Sequence, residues 1–388
     1  MARSRTSTGS ATASAPALLL VADSERNADQ RWFTGLQVPD AFIAVRVRGR
    51  SIGVFHALEF GRARKESRLD EVLALEDMQQ VARAKLGCAT AGTAEVVTVL
   101  ARRHRLRGFV VPADFPLGLA VRLQALGLRI SPVEGATFPE REIKTPSEAR
   151  AIAEGNRCSA LGLAAARDML ARAEIRRGRL FLDSRALTSE RVREAVDTAC
   201  LRAGANASNT IVAGGDQACD PHCRGNGPLR ANELIIVDVF PRVGATGYHG
   251  DMTRTFLKGT PSDAQCRLVA AVRAAQLAAM REIRADVHGA HVHKTVVEHF
   301  EKAGYATTRG PEGSTGFFHG TGHGLGLDIH ELPNMGRSAT LLREGAVVTV
   351  EPGLYYPGLG GCRIEDVVQV TRGRPKMLSR FDYGWVVS

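Results

Sequence analysis

The sequence of 388 residues contains no run close to the roughly twenty apolar residues that a membrane-spanning helix needs. Its longest clean apolar stretches, such as Ala17 to Val21, have the length of a β-strand. We therefore predict no membrane span and no membrane partner. With 44% hydrophobic and 24% charged residues, the chain has enough material for two packed domains, one of them large.

The sequence also lacks a cysteine framework. Its seven cysteines are irregularly spaced and odd in number, which is typical of free thiols in a reducing compartment and predicts a cytoplasmic protein. Cys219 and Cys223 flank His222, but no second pair follows at zinc-finger spacing. A small zinc site stays open as an alternative; we favour two ordinary thiols beside a functional histidine.

Nucleic-acid motifs are missing as well. The net charge of +10 comes mostly from arginines spread along the chain, without zinc-finger spacing, a ribonucleoprotein motif or a Walker loop. We therefore predict a solvated basic surface and no nucleic-acid partner. Residues 1–16 contain no acid and resemble a transit peptide in composition, but Gly and Pro interrupt any amphipathic helix, which favours a disordered tail.

The N-terminal part of the sequence predicts a small α/β domain. Between Ala17 and Glu140, short apolar runs alternate with helical patterns, and residues 41–55 are typical of a β-hairpin turning at Arg48-Gly49-Arg50. Few clustered histidines or acids occur there, so we expect this domain to shape access or assembly. Its further predicted elements are helices at 75–86, 93–103 and 117–126 and a strand at 108–111.

A helix-capping signal marks the predicted domain boundary. Thr145 can cap a helix, Pro146 fits its first turn and Glu148 completes a capping box. The boundary at this signal separates a first domain at 17–143, which follows the tail at 1–16, from a second domain at 144–388. The same signal at Thr260-Pro261-Ser262-Asp263 predicts a long helix that runs to Ala285, and further helices are predicted at 190–202 and 290–303.

Four acidic residues lie on apolar segments that are predicted to be buried β-strands. Asp238 lies within residues 234–240, Asp251 begins 251–257, Glu351 ends 346–351, and Glu365 lies in 364–371. A buried carboxylate needs a partner, and any single one is more often paired with an arginine. Four on paired strands instead favour a metal site, because hard divalent cations prefer carboxylate oxygens. The two sets suggest two related halves facing one site.

Three histidines alternate with glycines in residues 318–331. Closely spaced glycines let the backbone approach a site, and a divalent cation accepts an imidazole beside carboxylates. His323 is therefore the fifth candidate ligand. The histidines are His319, His323 and His330, and the glycines are Gly320, Gly322, Gly324 and Gly326.

This order of ligands, with Gly-His-Gly-Leu-Gly-Leu-Asp-Ile-His-Glu and Val-Glu-Pro-Gly, closely resembles the pita-bread metallopeptidases. These include aminopeptidase P, prolidase and methionine aminopeptidase, with creatinase as a relative that lacks the metals. The resemblance covers roughly residues 144–388, and the separate N-terminal domain and Arg363-Ile364-Glu365-Asp366 favour the aminopeptidase P, prolidase and creatinase branch. It implies an α/β (α+β) protein in which a small creatinase-like N-terminal domain precedes a pita-bread catalytic domain.

The resemblance also implies roles for individual residues. Two divalent metal ions would be held by Asp238, Asp251, His323, Glu351 and Glu365. Glu351 would also act as general base toward the attacking water, and His330 would hydrogen-bond the substrate carbonyl or the tetrahedral intermediate. His222 would contact substrate near the scissile nitrogen. Further substrate-binding candidates are His319 and Arg363, although Arg363 could instead orient a ligand carboxylate; Phe317 and Tyr248 are candidates for the pocket that receives proline.

One spacing departs from the family pattern. Twelve residues separate Asp238 from Asp251, slightly more than is usual, and the extra residues fall around Gly244 to Gly247. Because turns tolerate insertions, we expect the strand pair to persist with a longer tip.

The activity implied by the likeness is hydrolysis of an Xaa-Pro peptide bond, by an aminopeptidase or a dipeptidase, with a proline-containing peptide as substrate and a homodimer as the expected assembly. Manganese is the favoured metal, while cobalt, zinc and iron stay open because such ligand sets accept all of them. Two alternatives from other classes are a metal-dependent lyase or non-peptide hydrolase on the same scaffold, and a non-catalytic binding protein.

Overall fold

The computed structural model describes residues 16–311, 313–337 and 340–388. The chain divides into two compact units, Met1–Pro139 and Glu140–Ser388, a division that falls four residues before the predicted boundary. Of the tail predicted for residues 1–16, only Pro16 lies within the described residues.

The first unit is built on one mixed β-sheet. Its elements are β1 (Leu18–Ala22), α1 (Ala28–Thr34), β2 (Phe42–Val47), β3 (Arg50–Phe55), α2 (Ala57–Glu66), β4 (Glu71–Ala74), α3 (Leu75–Leu86), α4 (Thr93–Arg103), β5 (Gly108–Val111), α5 (Leu117–Ala125) and β6 (Arg129–Pro132).

The sheet of the first unit has the strand order β4-β3-β2-β1-β5-β6 and separates two hydrophobic cores. Side chains alternate between the two faces of a strand, so Leu19 of β1 enters the core with α3 and α4, while Leu18 and Leu20 enter the other. The predicted hairpin is confirmed as β2 and β3, which pair antiparallel from Ile43 to Val47. The predicted helices and the strand at 108–111 are confirmed within one residue.

Within its described residues, the second unit contains four long helices and many short strands. Its elements are α6 (Pro146–Arg172), β7 (Glu174–Arg176), β8 (Arg179–Leu182), β9 (Arg185–Ala186), α7 (Ser189–Arg202), β10 (Ala205–Asn206), β11 (Ile211–Gly214), β12 (Ile235–Val239), β13 (Arg242–Val243), β14 (Met252–Lys258), α8 (Asp263–Glu282), α9 (Gly289–Lys302), β15 (Thr308–Gly310), β16 (Gly313–Thr315), β17 (Gly322–Gly324), β18 (Glu331–Met335), β19 (Val347–Val350), β20 (Gly353–Tyr356), β21 (Gly360–Arg363), β22 (Asp366–Gln369), β23 (Lys376–Met377) and β24 (Val386–Val387).

Two helix pairs each cover one sheet of the second unit. Helices α6 and α7 share a core with the sheet β11-β12-β14-β24, where Leu163, Val196 and Val237 are fully buried. Helices α8 and α9 share another with the sheet β18-β17-β19-β22-β23, where Val296 and Val348 are fully buried. The unit therefore has two halves, each with a pair of helices packed on one sheet, as the two sets of acidic residues predicted.

The capping prediction is confirmed for α6 and wrong by two residues for α8. At α6, the Thr145 amide donates to Glu148 Oε2 over 2.8 Å, and Thr145 Oγ1 accepts from the Glu148 amide. Helix α8 is capped by Ser262, and Oε1 of Gln265, three residues later, accepts a hydrogen bond from the Ser262 backbone amide at 2.8 Å. The amide of Thr260 instead donates to Asn232, which leaves that residue outside the helix.

The long connection between the two aspartates forms a turn, as predicted. The turn lies at residues 244–247, where the Gly247 amide donates to the Val243 carbonyl and Gly247 takes a φ of 80°. Strands β12 and β14 still pair from Ile235 to Val239. No helix within the described ranges is long and apolar enough to cross a membrane.

Candidate active site

Nine of the eleven residues predicted for the catalytic site line one cleft of about 1000 Å³ in the second unit. The cleft is bordered by the ends of β12, β17 and β19 and by the segments that precede β14 and β22. These nine are Asp238, Asp251, His323, Glu351, Glu365, His330, His222, His319 and Arg363.

Thr253 joins the two halves of the site. It pairs with Asp238 across β12 and β14, and its carbonyl accepts the amide of Glu365 at 3.1 Å. Its hydroxyl also donates to Glu365 Oε2 over 2.7 Å. Because one residue holds both the backbone and the side chain of Glu365, the carboxylates from the two halves keep a fixed relation.

Asp251 is positioned by a close contact between two backbones. Gly155 of α6 and Gly250 meet so tightly that a Cβ on Gly250 would lie 2.1 Å from the Gly155 carbonyl carbon. This approach places Asn156, which is 1% exposed, where its Oδ1 accepts the Asp251 amide at 2.9 Å. Glycine at both positions is therefore needed to place the carboxylate.

The glycines around His323 permit its position in β17. A Cβ on Gly322 would lie 2.0 Å from the Thr349 carbonyl oxygen, and one on Gly324 would lie 2.2 Å from the Leu332 carbonyl oxygen. His323 Nδ1 lies 3.0 Å from the Gly324 carbonyl, which can only accept, so Nδ1 carries the proton. The lone pair of Nε2 then faces the acids, 3.6 Å from Asp251 Oδ2 and 3.4 Å from Glu351 Oε1.

Burial and mutual repulsion raise the pKa of three carboxyl groups in the cleft. Burial raises the pKa of Asp251 well above its usual range, with Asp238 and Glu351 adding to the effect. Burial likewise raises the pKa of Glu351 to about 7, and it raises that of Glu365 with help from Asp251. A cation bound among these carboxylates would lower their pKa values again, because its positive charge stabilises the ionised form.

The donor set fits hard divalent cations. Asp251, His323 and Glu365 each offer one atom within 4.8 Å of the others. Asp238 lies in the same cleft, and its buried Oδ1 has no hydrogen-bond partner among the described residues. Several carboxylates with one imidazole are the ligands of manganese, cobalt, zinc or iron rather than of a soft metal.

Arg363 orients Asp238 from within the protein. Arg363 is 3% exposed, and its guanidinium donates to Asp238 Oδ2 over 2.8 Å and to the Tyr355 hydroxyl over 3.0 Å. A third contact reaches the Pro221 carbonyl at 3.4 Å. These contacts favour the orienting role for Arg363 over direct substrate contact.

His319 is held as a neutral imidazole through Tyr355. Its Nδ1 lies 2.7 Å from the Gly320 carbonyl and its Nε2 lies 2.8 Å from the Tyr355 hydroxyl. Burial, together with the charge of Arg363, lowers the pKa of His319 to about 3. Since Nδ1 must donate to the Gly320 carbonyl, Nε2 accepts a hydrogen bond from the Tyr355 hydroxyl.

The other two histidines take different positions. The ring of His330 stands edge-on to that of His323, with 4.3 Å between the ring centroids. Glu331, which follows His330 in the chain, forms an ion pair with Lys144 Nζ at 2.6 Å. His222 is exposed at the cleft, and its amide donates to Asp220 Oδ1 over 3.1 Å. Its cysteine neighbours belong to no group of three or more metal-binding side chains found within the described ranges.

The expectation that Phe317 and Tyr248 line the proline pocket is wrong. Phe317 is 4% exposed and packs edge-to-face on Phe300 of α9, so its ring enters the core and the next residue, Phe318, lines the cleft. The Tyr248 hydroxyl donates to Glu148 Oε1 over 2.7 Å.

Sequence reasoning missed the residues that support the ligands. Thr253 carried a usable signal, because it lies two positions after Asp251 on the same strand. Asn156, Tyr355 and Gln276 carried none, since each reaches the site only through tertiary packing.

Gln276 of α8 supports both glutamates from behind. Its side chain is fully buried, and Nε2 donates to the Val350 carbonyl at 3.1 Å and to the Ile364 carbonyl at 3.3 Å, directly before Glu351 and Glu365. The same nitrogen lies 3.0 Å from Asp366 Oδ2.

Replacing Gln276 by leucine is expected to lower the free energy of unfolding by about 2–4 kcal/mol, because buried acceptors lose their donor. Urea unfolding of the metal-free protein measures this change. Gln369→Leu is the control, because the side-chain Nε2 of Gln369 donates to only one described carbonyl, that of Gly345, at 3.3 Å. Equal losses for the two variants would contradict a special role for Gln276.

The fold and the acidic cleft define a class, the pita-bread metallopeptidases. Residues 151–372, more than half of the chain, match metallopeptidase family M24, and the chain belongs to this family.

The chain is 33% identical over 178 residues to the Xaa-Pro dipeptidase of Pyrococcus furiosus, covering 45% of this chain and 48% of that protein. It is 37% identical over 180 residues to a putative Xaa-Pro aminopeptidase of Mycoplasma genitalium, with the same coverage. The matches thus span about half the length of these curated relatives.

The fold extends over nearly the whole chain. An X-Pro aminopeptidase of Thermotoga maritima matches with a TM-score of 0.79 at 21% identity, covering 96% of this chain and 97% of that one. A Xaa-Pro dipeptidase from Bacillus anthracis matches with a TM-score of 0.80 at 22% identity, covering 96% and 95%. At these identities the likeness establishes the fold.

Proposed function

We propose that this protein hydrolyses the peptide bond before proline, as an Xaa-Pro aminopeptidase or dipeptidase that depends on two divalent metal ions. The observation that carries the proposal is the cluster of Asp251, His323 and Glu365 in a cleft that also contains His330 and His222. Membership of family M24 and the names of the relatives, Xaa-Pro dipeptidase and putative Xaa-Pro aminopeptidase, support it.

Asp238, Asp251, His323, Glu351 and Glu365 are the proposed metal ligands, and manganese is the proposed metal. When bound, such a pair supplies Lewis acidity for a carbonyl and lowers the pKa of water. The donor set supports this assignment, because one imidazole and several carboxylates converge while Arg363 neutralises part of the charge on Asp238.

The surrounding side chains would bind and orient the peptide. We assign to Glu351 the acceptance of a proton from the attacking water, and to His330, beside His323, a hydrogen bond to the oxygen that develops negative charge. His222, exposed at the cleft, would contact the substrate near the proline nitrogen. Neutral His319 would contribute to the pocket wall.

A cytoplasmic location and a homodimer belong to the same proposal. The location is supported by seven cysteines that are all free. The homodimer is supported by the likeness to the family alone.

The proposal is tested by incubating metal-stripped protein with Gly-Pro and with a longer Xaa-Pro-Xaa peptide, before and after adding Mn²⁺. Cleavage of at least one peptide only after Mn²⁺ is the expected result, and the ratio of the two rates distinguishes a dipeptidase from an aminopeptidase. If neither peptide is cut although metal binds, a lyase, a non-peptide hydrolase or a binding protein becomes the better account.

His330→Gln is expected to lower kcat about 10²–10³-fold, because it removes a donor to the developing oxyanion. Mn²⁺ affinity should stay within about threefold, since His330 is not one of the five proposed metal ligands. His291→Gln is the control, because His291 is exposed and pairs with Glu282. A kcat for His330→Gln equal to that of the control would refute the assigned role.

A further inference from the structure

A second cavity, of about 630 Å³, lies in the Glu140–Ser388 unit and shares no lining residue with the active-site cleft. One wall is α6, where Ala149, Ala153 and Ala160 recur at helical spacing on one face. The other wall includes the edge strand β23 and the buried Leu378. Because alanine side chains are short, the space between the two walls is left unfilled and its floor is apolar.

The charged groups that line this cavity are all basic. Two of them have partners: Lys144 Nζ lies 2.6 Å from Glu331 Oε1, and Arg157 lies 2.7 Å from Glu154 Oε1. The other three have no carboxylate within ion-pair distance in the parts of the chain that the structure describes, and no acidic residue lines the cavity. These three are Arg150, Lys376 and Arg380.

Three unpaired cations around one concave, partly apolar space concentrate positive potential there. An anionic group bound between them would relieve their repulsion, and an apolar body would cover the alanine floor. A cavity of this size is typical of small-molecule sites. Neither a lone anion nor a neutral apolar molecule matches both features.

We infer that this cavity binds a small organic anion with an apolar body, whose carboxylate or phosphate lies against Arg150, Lys376 and Arg380 while its body lies on Ala149 and Ala153. Among the described residues, the lining of this cavity includes no histidine, cysteine or acid, and the inference is limited to binding. This site is independent of the proposed peptidase activity.

Calorimetric titration of the Mn²⁺-loaded protein tests the inference with four probes below their micelle concentrations: octanoate, octyl phosphate, inorganic phosphate and octanol. We expect saturable binding of octanoate or octyl phosphate, at least about tenfold tighter than that of inorganic phosphate or octanol, because both the charge and the apolar body contribute. The two anionic amphiphiles distinguish a carboxylate ligand from a phosphate ligand.

Two variants locate the binding. Lys376→Gln combined with Arg380→Gln should weaken binding about tenfold or more, and Ala153→Leu should weaken it by filling the floor. Arg372→Gln is the control, because the Arg372 side chain is 86% exposed, pairs with Glu344 and does not line the cavity.

Three outcomes would overturn the inference. Binding that the cavity variants leave unchanged would place the probe elsewhere, for example at the metal site. Inorganic phosphate that binds as tightly as octyl phosphate would mean simple ion pairing at the surface. A dimer that the cavity variants dissociate, in sedimentation measurements, would identify a second copy of the chain as the occupant.

Discussion

Asp251→Ala is expected to lower the rate of Xaa-Pro hydrolysis about 10³-fold or more, even with Mn²⁺ in excess. Asp251 is 4% exposed and lies within reach of both His323 and Glu365. Its loss removes a carboxylate from the centre of the proposed metal site, whereas a surface change would leave that site intact. Steady-state kinetics on a proline-containing peptide, with the bound metal counted in the same sample, measures the effect.

Asp168→Ala is the matched control for this prediction. Asp168 is an exposed residue of α6 that pairs with Arg172, so its variant should keep full activity. If Asp251→Ala bound two metal ions and retained more than about a tenth of the activity, Asp251 would not be an essential ligand.

Glu351→Gln is expected to stabilise the metal-free protein near neutral pH and to weaken its stabilisation by Mn²⁺. Burial raises the pKa of Glu351 from 4.5 to about 7 in the folded protein. Between these values the unfolded chain has released a proton that the folded chain still holds. The free energy of unfolding therefore falls as the pH rises through this interval, by at most about 1.4 kcal/mol per pH unit for one such group.

Glutamine cannot titrate, so the metal-free variant should lose less stability than the wild type over this interval. Excess Mn²⁺ should reverse the order, because a ligand that binds only the folded state stabilises by about 2.7 kcal/mol at 100 times its Kd, and the variant has one fewer carboxylate. Urea unfolding from pH 4.5 to 7, with and without Mn²⁺, measures both effects. Parallel stability curves for the two metal-free proteins would disprove the pKa argument.

The sequence was sufficient to locate the acidic cleft because its main features are local. Asp238 and Glu351 stand out as charges on apolar strands, and His323 stands between glycines that the structure needs for backbone contact with Thr349 and Leu332. The helices were equally predictable, since their apolar spacing and the cap at Thr145 are local signals.

The supporting contacts could not be predicted, because they join residues that are distant in the chain. Gln276 meets carbonyls of residues 350 and 364, and Tyr355 links His319 to Arg363. The pocket prediction erred at Phe317 for a related reason, since only the packing of α9 determines which of two adjacent phenylalanines faces inward. Such choices depend on tertiary structure.

Titration of metal-stripped protein with Mn²⁺, with bound metal and peptide cleavage measured in the same samples, tests the proposal that the acidic cleft holds two metal ions for Xaa-Pro hydrolysis. We expect two bound ions per chain and cleavage that rises as the sites fill. Two bound ions without cleavage of any Xaa-Pro peptide, or cleavage by the fully stripped protein, would contradict it.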